Sequence, residues 1–198
     1  YENSVRDLVG DAELTLDLDE DSGEFFTRLG AEKLNLAVEQ VVSRQDLWQE
    51  EVFPCDTNGA EDLASVDLFI ETFGYRAFRR PLEAEEQAWL RSQYDAARGE
   101  LGFRDAMNVV FSVILQSPQF IYFPEFGRAP IAENVAEGVR PLTSYERASR
   151  LSFFLLNSVP DAELLLAAEA GLLDTREGVH AQTTRLLAKP KARALFRS

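Results

Sequence analysis

Apolar residues recur every three or four positions along much of the chain, which is the spacing that places side chains on one face of an α-helix. The clearest run comprises Leu63, Val66, Phe69, Ile70, Phe73 and Ala77. Proline disfavours a helical conformation in the residue before it, so Pro81 ends this helix, and a second helix is predicted over residues 83–98. A third is predicted over residues 103–116. Together the three helices are expected to close a core.

Two more helices are expected nearer the start of the chain. Residues 1–9 form one that ends at Gly10, because glycine readily takes the left-handed conformation that follows many helices. Residues 31–45 form the other. Its predicted buried side consists of Leu34, Leu36, Val38, Val41 and Val42.

Helical signals resume after a segment rich in proline. Residues 124–141 contain three prolines, two glycines and no helical period, which is typical of a linker. Beyond it, Thr143 and Glu146 have the spacing of a capping box at a helix start. The end of that helix, residues 151–156, is apolar almost all round and is expected to be central. Asp161 and Thr175 can cap two further helices, and Pro190 suits the first turn of another.

These elements predict an all-α fold made of two small helical bundles joined by a proline-containing linker. Residues 1–125 form a helical domain with an amino-terminal module, a helical hairpin and a third helix. Residues 126–141 form the linker, and residues 142–198 begin a second helical module. The apolar pattern is unfinished at Ser198, so the second bundle is expected to be truncated.

Composition narrows the classes of partner. The 198 residues are 45% hydrophobic, enough for a folded core, and 20 Lys and Arg against 34 Asp and Glu give a net charge of −14. Such a charge repels phosphate backbones, so nucleic acid is not expected as a partner. The longest apolar runs fall well short of the 18 or so residues that a membrane span needs. Cys55 is the single cysteine, so a disulfide within the chain is impossible.

A basic cluster stands out in this acidic sequence. Arg76, Arg79 and Arg80 fall within five residues, and guanidinium groups bind carboxylate, sulfate or phosphate through forked hydrogen bonds. The alternative is that they serve the structure, at the end of a helix and in ion pairs with the nearby Glu83, Glu85 and Glu86.

A second candidate binding group begins the helix after the linker. Tyr145, Glu146 and Arg150 are the candidate binding residues, and Tyr145, Arg147 and Arg150 could line a cleft between the two bundles. The alternative is ordinary helix pairing, since Glu146 and Arg150 are four residues apart.

An acidic stretch offers a candidate calcium site. Asp17, Asp19 and Asp21 stand at alternate positions, as the first ligands of an EF-hand loop do. The pattern then departs, because Ser22 stands where that loop has glycine and Arg28 where it has its bidentate carboxylate. The alternative is a solvated acidic loop.

Three segments carry a resemblance to a known group of proteins. Residues 69–82 read FIETFGYRAFRRPL, and Glu85 and Glu86 follow them. This segment resembles a signature of the planctomycete-specific domain proteins, families of unknown function that are also abundant in myxobacteria. Residues 1–10, YENSVRDLVG, look like their amino-terminal module. Residues 148–165 look like the opening of a later module, and the order of the three segments also matches.

The resemblance implies a cellular location and a group of associated domains. Proteins of this type are typically large, exported and linked to c-type cytochrome domains, and some carry carbohydrate-binding modules. We therefore expect an extracytoplasmic protein, periplasmic, cell-surface or secreted, whose partners are other domains of a parent protein and possible c-type cytochromes or polysaccharides. The leading hypothesis is a module for assembly or ligand binding. The alternative is part of an enzyme site for oxidation or cleavage of carbohydrate, completed by absent domains.

The resemblance implies no catalytic residues. No cofactor is expected in this fragment, because it has no Cys-x-x-Cys-His motif for haem attachment; haem c is expected only elsewhere in the parent protein. Relatives often carry a second cysteine shortly before the phenylalanine-isoleucine pair, and residues 59–67 contain none.

Overall fold

The computed structural model describes residues 1–18, 28–44, 52–53, 63–128 and 139–196, and the regular elements within these ranges are all helical. The predicted all-α fold is therefore confirmed. The helices are α1 Glu2–Val9, α2 Arg28–Val42, α3 Leu63–Phe78, α4 Ala84–Arg98, α5 Phe103–Gln116, α6 Pro118–Ile121, α7 Ser144–Leu156, α8 Ala162–Glu169, α9 Arg176–Leu187 and α10 Pro190–Leu195, with a 3₁₀ turn at Leu172–Asp174. Among the described helices, none combines the length and apolarity that crossing a membrane requires.

The chain divides into two compact units, unit 1 at Tyr1–Tyr122 and unit 2 at Phe123–Ser198. In unit 1, α5 packs against α2, α3 and α4. The centre holds four fully buried phenylalanines: Phe53, Phe69, Phe73 and Phe111. The Phe69 ring stacks on Phe53 at 4.6 Å between centroids, and the Phe111 ring meets Phe73 edge-on at 4.9 Å. Full burial of each such side chain contributes about 1.5–3 kcal/mol, so this cluster is a major source of the stability of unit 1.

The segment after α1 is held against both neighbouring helices. Gly10 ends α1 with a φ of 73°, as its sequence position predicts. The Leu16 amide donates to the Glu2 carboxylate at 2.8 Å, and the Gln40 side chain donates to the Thr15 carbonyl at 3.0 Å. These bonds fix residues 11–16 between α1 and α2.

The prediction for α2 needs two corrections. The helix begins and ends three residues earlier than predicted, and Leu36, expected inside, is 64% exposed. The buried stripe is instead Leu34, Ala37, Val38 and Val41. Successive residues turn by about 100° in an α-helix, so Leu36 projects from nearly the opposite side to Leu34. Val42 is only half-buried.

Two further details of unit 1 differ from the sequence prediction. Leu63 is exposed because it stands in the first turn of α3, ahead of the buried stripe that begins at Val66. Residues 118–121, for which no helix was predicted, form the short helix α6. The Ser117 hydroxyl accepts a hydrogen bond from the Phe120 amide, and Pro118 occupies the first turn, where its missing N–H costs nothing.

Unit 2 is built around α7. Its buried core consists of Ala148, Leu155, Leu156, Leu164, Ala167, Ala168, Leu173, Leu186 and Ala192. The predicted caps are confirmed: the side chains of Thr143, Asp161 and Thr175 accept backbone hydrogen bonds at the starts of α7, α8 and α9. Each cap satisfies an amide that the helix itself leaves unbonded.

The expectation that the end of α7 is central is wrong for one of its faces. Phe154 is 71% exposed. Ala148, Ser152 and Leu155 are spaced four and three residues apart and turn into the core, which leaves Phe154 on the outer side. The helix is therefore amphipathic at its end despite its apolar sequence.

A glycine permits the closest backbone approach in unit 2. A Cβ atom at Gly178, in the first turn of α9, would lie 2.0 Å from the Leu172 carbonyl oxygen. The 3₁₀ turn can therefore pack directly on the start of α9 only because residue 178 has no side chain.

Candidate functional site

The three arginines of the basic cluster have three different surroundings. Arg76 lies in the last turn of α3 and donates through Nη2 to the carbonyl oxygens of Asp7 at 3.2 Å and Leu8 at 3.0 Å. Those carbonyls belong to the last turn of α1, where helix oxygens lack intrahelical donors and the helix dipole is negative. Arg76 thus ties the end of α1 to α3.

Arg79 is a buried cation just beyond α3. Its side chain donates to the carbonyl oxygens of Gln119 at 2.6 Å, Phe120 at 3.3 Å and Tyr122 at 2.9 Å, around the end of α6. Its φ of 61° is left-handed, a conformation that costs a non-glycine residue about 1–2 kcal/mol. Burial, reinforced by the charge on Arg80, lowers the pKa of the Arg79 guanidinium to about 10, so the group remains ionised at neutral pH.

Arg80 forms a forked ion pair with a carboxylate. Its two terminal nitrogens donate to the two oxygens of Glu86, at 2.8 and 2.7 Å. The Glu83 amide donates to the same carboxylate at 2.9 Å, which fixes the start of α4. Burial opposes ionisation of Glu86, but the bonds from Arg80 and Glu83 outweigh it and hold the pKa of Glu86 below its ordinary value. The ion pairing considered for the cluster is present between Arg80 and Glu86, whereas Arg76 and Arg79 donate to backbone carbonyls; anion binding by the three arginines stays a prediction.

The candidate group on α7 is also tied into its own unit. Glu146 accepts hydrogen bonds from the backbone amides of Thr143 at 2.6 Å and Gly127 at 2.9 Å. Burial opposes its ionisation, but these amides, together with the Thr143 side chain and Phe126 amide, hold the pKa of Glu146 below its ordinary value. Glu146 therefore serves as a negatively charged anchor for residues 126–128.

The direct ion pair of Arg150 is not with Glu146, which was the alternative considered for this group. Arg150 instead donates to both oxygens of Glu125, at 2.8 and 2.5 Å. The capping box holds the Glu146 side chain toward the start of its helix. Arg150 pairs instead with Glu125, which lies in the segment before α7. Tyr145 is half-buried against the core of unit 2. The structure thus brings Glu125, Glu146 and Arg150 to the first turns of α7.

The calcium hypothesis lies largely outside the described residues. Asp17 is exposed, whereas Asp19 and Asp21 are outside the ranges that the structure describes. Within those ranges, no three His, Cys, Asp or Glu side chains are grouped so that they can hold a metal ion. Calcium binding by the acidic stretch stays a prediction.

Sequence reasoning missed an ionic cluster that centres on Asp161. Besides capping α8 through the Leu164 amide at 2.8 Å, its carboxylate accepts two hydrogen bonds at 2.8 Å from Arg185 and one from Lys189. Burial opposes ionisation, but these donors hold the pKa of Asp161 well below its ordinary value. The sequence signal that was available is the four-residue spacing of Arg185 and Lys189. This spacing does not identify Asp161 as their partner.

Unit 2 also exposes a group of apolar side chains, which we call the α10 patch: Phe154, Leu187, Leu195 and Phe196. The rings of Phe154 and Phe196 meet edge to face with their centroids 6.4 Å apart. Beside them lies an apolar depression lined by Leu187, Ala192, Arg193 and Phe196. Clustered exposed apolar side chains of this kind mark surfaces that bind other molecules.

Comparison with known proteins gives matches to two family models. Residues 65–125 match the model PSD5, described as a protein of unknown function (DUF1595). Residues 142–198 match the model PSD4, described as a protein of unknown function (DUF1592). Neither curated proteins nor solved structures give a match. Residues 65–125 therefore belong to the PSD5 family and residues 142–198 to the PSD4 family, which confirms the resemblance to the planctomycete-specific domain families.

Proposed function

We propose that this chain is a helical module for assembly or ligand binding within a larger exported protein of a c-type-cytochrome-linked system. The observation that carries the proposal is the α10 patch, in which Phe154 and Phe196 are 71% and 58% exposed. Leaving two phenylalanines in water is unfavourable by roughly 1.5–3 kcal/mol each relative to burial, and contact with another part of the parent protein or with a docked partner removes that cost.

The polar side chains support the same function. The guanidinium groups of Arg76, Arg79 and Arg80 and the carboxylate of Glu146 all hold backbone segments or helix ends together. They keep each unit rigid, and Glu146 does so in unit 2, which carries the α10 patch. Export and the link to c-type cytochromes rest on the family resemblance, which also supplies haem c as a cofactor of the parent protein rather than of this chain.

The assembly proposal is tested by sedimentation velocity of the chain with a purified c-type cytochrome, followed at the haem absorbance. At near-physiological salt, which screens non-specific attraction between charged proteins, we expect the haem boundary to sediment faster with the wild-type chain than with Phe154→Ser. Phe126→Ser is the matched control, since Phe126 is also exposed in unit 2 but lies outside the patch. An unshifted boundary with the wild-type chain counts against the cytochrome link.

Location is tested separately. An antibody raised against this chain is used on fractions of cells that express the complete parent gene, with a cytoplasmic enzyme as the marker of leakage. We expect the signal outside the cytoplasm. Signal confined to the cytoplasmic fraction contradicts the exported setting.

A second candidate is part of a carbohydrate-processing site, favoured by one observation. Glu125 and Glu146 bring two carboxylates to the first turns of α7 beside Arg150, and paired carboxylates are the groups that glycoside hydrolysis uses. The test is release of reducing sugar from a panel of polysaccharides by the complete parent protein and by its Glu125→Gln variant. Equal activity in the two proteins removes Glu125 from the chemistry.

A further inference from the structure

We propose that the backbone at Phe123 is a pivot between the two units, held on one side by Arg79 and on the other side by the first turns of α7. The pivot confines any change in the relative orientation of the units to a few main-chain bonds. This device is independent of which molecule binds the α10 patch.

The last residue of unit 1 is held by both of its backbone polar groups. The Tyr122 amide donates to the Pro118 carbonyl at 2.9 Å, and the Tyr122 carbonyl accepts a hydrogen bond from the buried Arg79, also at 2.9 Å. Because the peptide bond is planar, holding this carbonyl also fixes the plane that contains the Phe123 amide. The backbone therefore moves with unit 1 as far as the nitrogen of Phe123.

The residues that follow are held by unit 2. Four successive contacts tie residues 123–128 to that unit: the Phe123 ring on Phe153, Glu125 with Arg150, the Gly127 amide on Glu146 and the Arg128 amide on the Pro141 carbonyl. The two rings have their centroids 4.0 Å apart, and the last hydrogen bond measures 2.8 Å. Attachment to unit 2 thus begins at the side chain of Phe123.

Little backbone lies between the two sets of contacts. The N–Cα bond of Phe123 is the first one that can rotate without breaking the hydrogen bonds of Tyr122. The ring of Pro124 fixes its own φ at about −65°, and it limits Phe123 to extended conformations. The two units can therefore turn about the bonds of Phe123 as rigid bodies, which is the behaviour of a hinge rather than of a flexible linker.

The pivot gives a role to two groups that the sequence singled out. Arg79 of the basic cluster is the anchor in unit 1. Glu146 and Arg150 of the α7 group are the anchors in unit 2. These side chains act on the residues beside the junction at which one compact unit ends and the next begins. A partner that binds one unit can then reorient that unit without loosening the connection.

Residual dipolar couplings of the backbone amides test the pivot in the whole chain. In a dilute aligned medium, one alignment tensor is fitted to helices α3–α5 and another to helices α7–α9. We expect two different tensors, because rotation at Phe123 averages the two units unequally. The amides of residues 121–123 should fit the tensor of unit 1, and those of residues 126–128 should fit the tensor of unit 2.

Variants in unit 1 identify the first anchor. We expect Arg79→Ala to lower the relaxation order parameters of the amides of residues 121–123 from about 0.85 to below about 0.6, while α3–α5 keep theirs. Arg79→Lys, which retains the charge, should give an intermediate value and serves as the second variant if Arg79→Ala does not fold. Arg76→Ala is the matched control, since Arg76 also donates to helix-end carbonyls, those of α1. It should leave residues 121–123 unchanged.

A variant in unit 2 identifies the second anchor. Glutamine also serves in a capping box, so Glu146→Gln can keep the bond from the Thr143 amide at the start of α7. Glutamine has one side-chain oxygen where glutamate has two, and the second oxygen of Glu146 accepts from Gly127. We expect lower order parameters for the amides of residues 126–127 and unchanged values for residues 121–123.

Three outcomes overturn the inference. A single alignment tensor that fits both units would mean that the backbone at Phe123 does not act as a pivot. Order parameters below about 0.6 throughout residues 121–128 of the wild type would mean a flexible linker. Values for residues 121–123 that Arg79→Ala and Arg79→Lys leave unchanged would remove Arg79 as the anchor.

Discussion

Arg79 combines features that local sequence patterns do not favour together: a large cation, nearly complete burial and a left-handed backbone. The carbonyl groups at the end of α6 explain this combination. A helix of four residues cannot supply donors for its last carbonyl groups, and the guanidinium of Arg79 supplies them. We expect Arg79→Ala to lower the free energy of unfolding by about 3 kcal/mol, since several buried carbonyls lose a charged donor. Urea denaturation followed by circular dichroism measures the change.

Two companion substitutions separate the side chain of Arg79 from its backbone. Arg79→Gly loses the same hydrogen bonds but relieves the left-handed strain at φ 61°, so it should be about 1 kcal/mol more stable than Arg79→Ala. Arg79→Lys keeps a charge but has one nitrogen to serve carbonyls on different residues, and it should lie between alanine and wild type. If Arg79→Ala has the same free energy of unfolding as the wild type, the hydrogen bonds from Arg79 to the end of α6 do not stabilise the protein.

Gly178 gives a test in which two physical effects have opposite signs. Alanine normally stabilises a helix relative to glycine by about 1 kcal/mol, yet the new Cβ would meet the Leu172 carbonyl at 2.0 Å. We expect Gly178→Ala to destabilise by about 1–3 kcal/mol, because the 3₁₀ turn must move away. Gly102→Ala is the control: it precedes α5 with open space around its Cβ, and its stability should change by less than about 1 kcal/mol. Thermal unfolding of the two variants compares them directly.

Among single residues, the sequence predicted helical caps better than long-range partners. Thr143, Asp161 and Thr175 were identified because a cap depends on the three residues that follow it. The bond of Arg79 to Gln119 spans 40 residues, and that of Arg150 to Glu125 spans 25. Such pairs depend on how helices pack, so neither the basic cluster nor the α7 group could be assigned partners from local spacing.

At the scale of elements, Asp161 joins α8, α9 and the residue before α10 through one carboxylate. Because its pKa is lowered on folding, the stabilisation by Asp161 is complete above its ordinary pKa of 3.8 and is lost as the pH falls toward the folded value. We expect Asp161→Asn to cost about 1 kcal/mol at pH 7, a modest figure because the carboxylate is partly exposed to solvent. The variant should also lose stability less steeply than the wild type below pH 4. Urea unfolding at a series of pH values measures both effects.

The asparagine variant of Asp161 has a specific advantage as a probe. Asparagine caps helices about as well as aspartate, so the bond to the Leu164 amide can be kept while the charge is removed. Asp161→Ala removes both and should cost about 1 kcal/mol more. Identical pH profiles for wild type and Asp161→Asn would mean that the ion pairs with Arg185 and Lys189 add nothing to stability.

The spacing of apolar residues predicted most of the helices. It did not predict all of their first and last residues or which face of each helix is buried. Long runs such as α3 and α5 repeat their apolar positions often enough to fix type and face. In α2, adjacent apolar residues permitted more than one buried stripe, and packing against α5 selected the one that excludes Leu36. The short α6 lacks a full period, so periodicity could not predict it, although Ser117 caps it and Pro118 occupies its first turn.

For the whole molecule, the sequence predicted two helical parts, and the structure has two compact units, each with buried apolar residues of its own. Residues 123–198 contain no tryptophan, whereas Trp89 lies on α4 of unit 1. Tryptophan fluorescence therefore follows the unfolding of unit 1, whereas far-ultraviolet circular dichroism follows the helices of both units.

This arrangement predicts that a destabilising substitution in the core of one unit can be distinguished from one in the core of the other by comparing the two signals. Leu90 in unit 1 and Leu164 in unit 2 are both fully buried, and replacing a buried leucine by alanine costs about 2–5 kcal/mol. We expect Leu90→Ala to lower the urea midpoint of tryptophan fluorescence, and Leu164→Ala to lower only part of the circular dichroism transition while the fluorescence midpoint stays unchanged. Equal shifts of both signals in both variants would instead mean that the two units unfold as one cooperative structure. Selective shifts would mean that the PSD5 and PSD4 segments are separate folding units, so that a partner bound at the α10 patch stabilises unit 2 without stabilising unit 1.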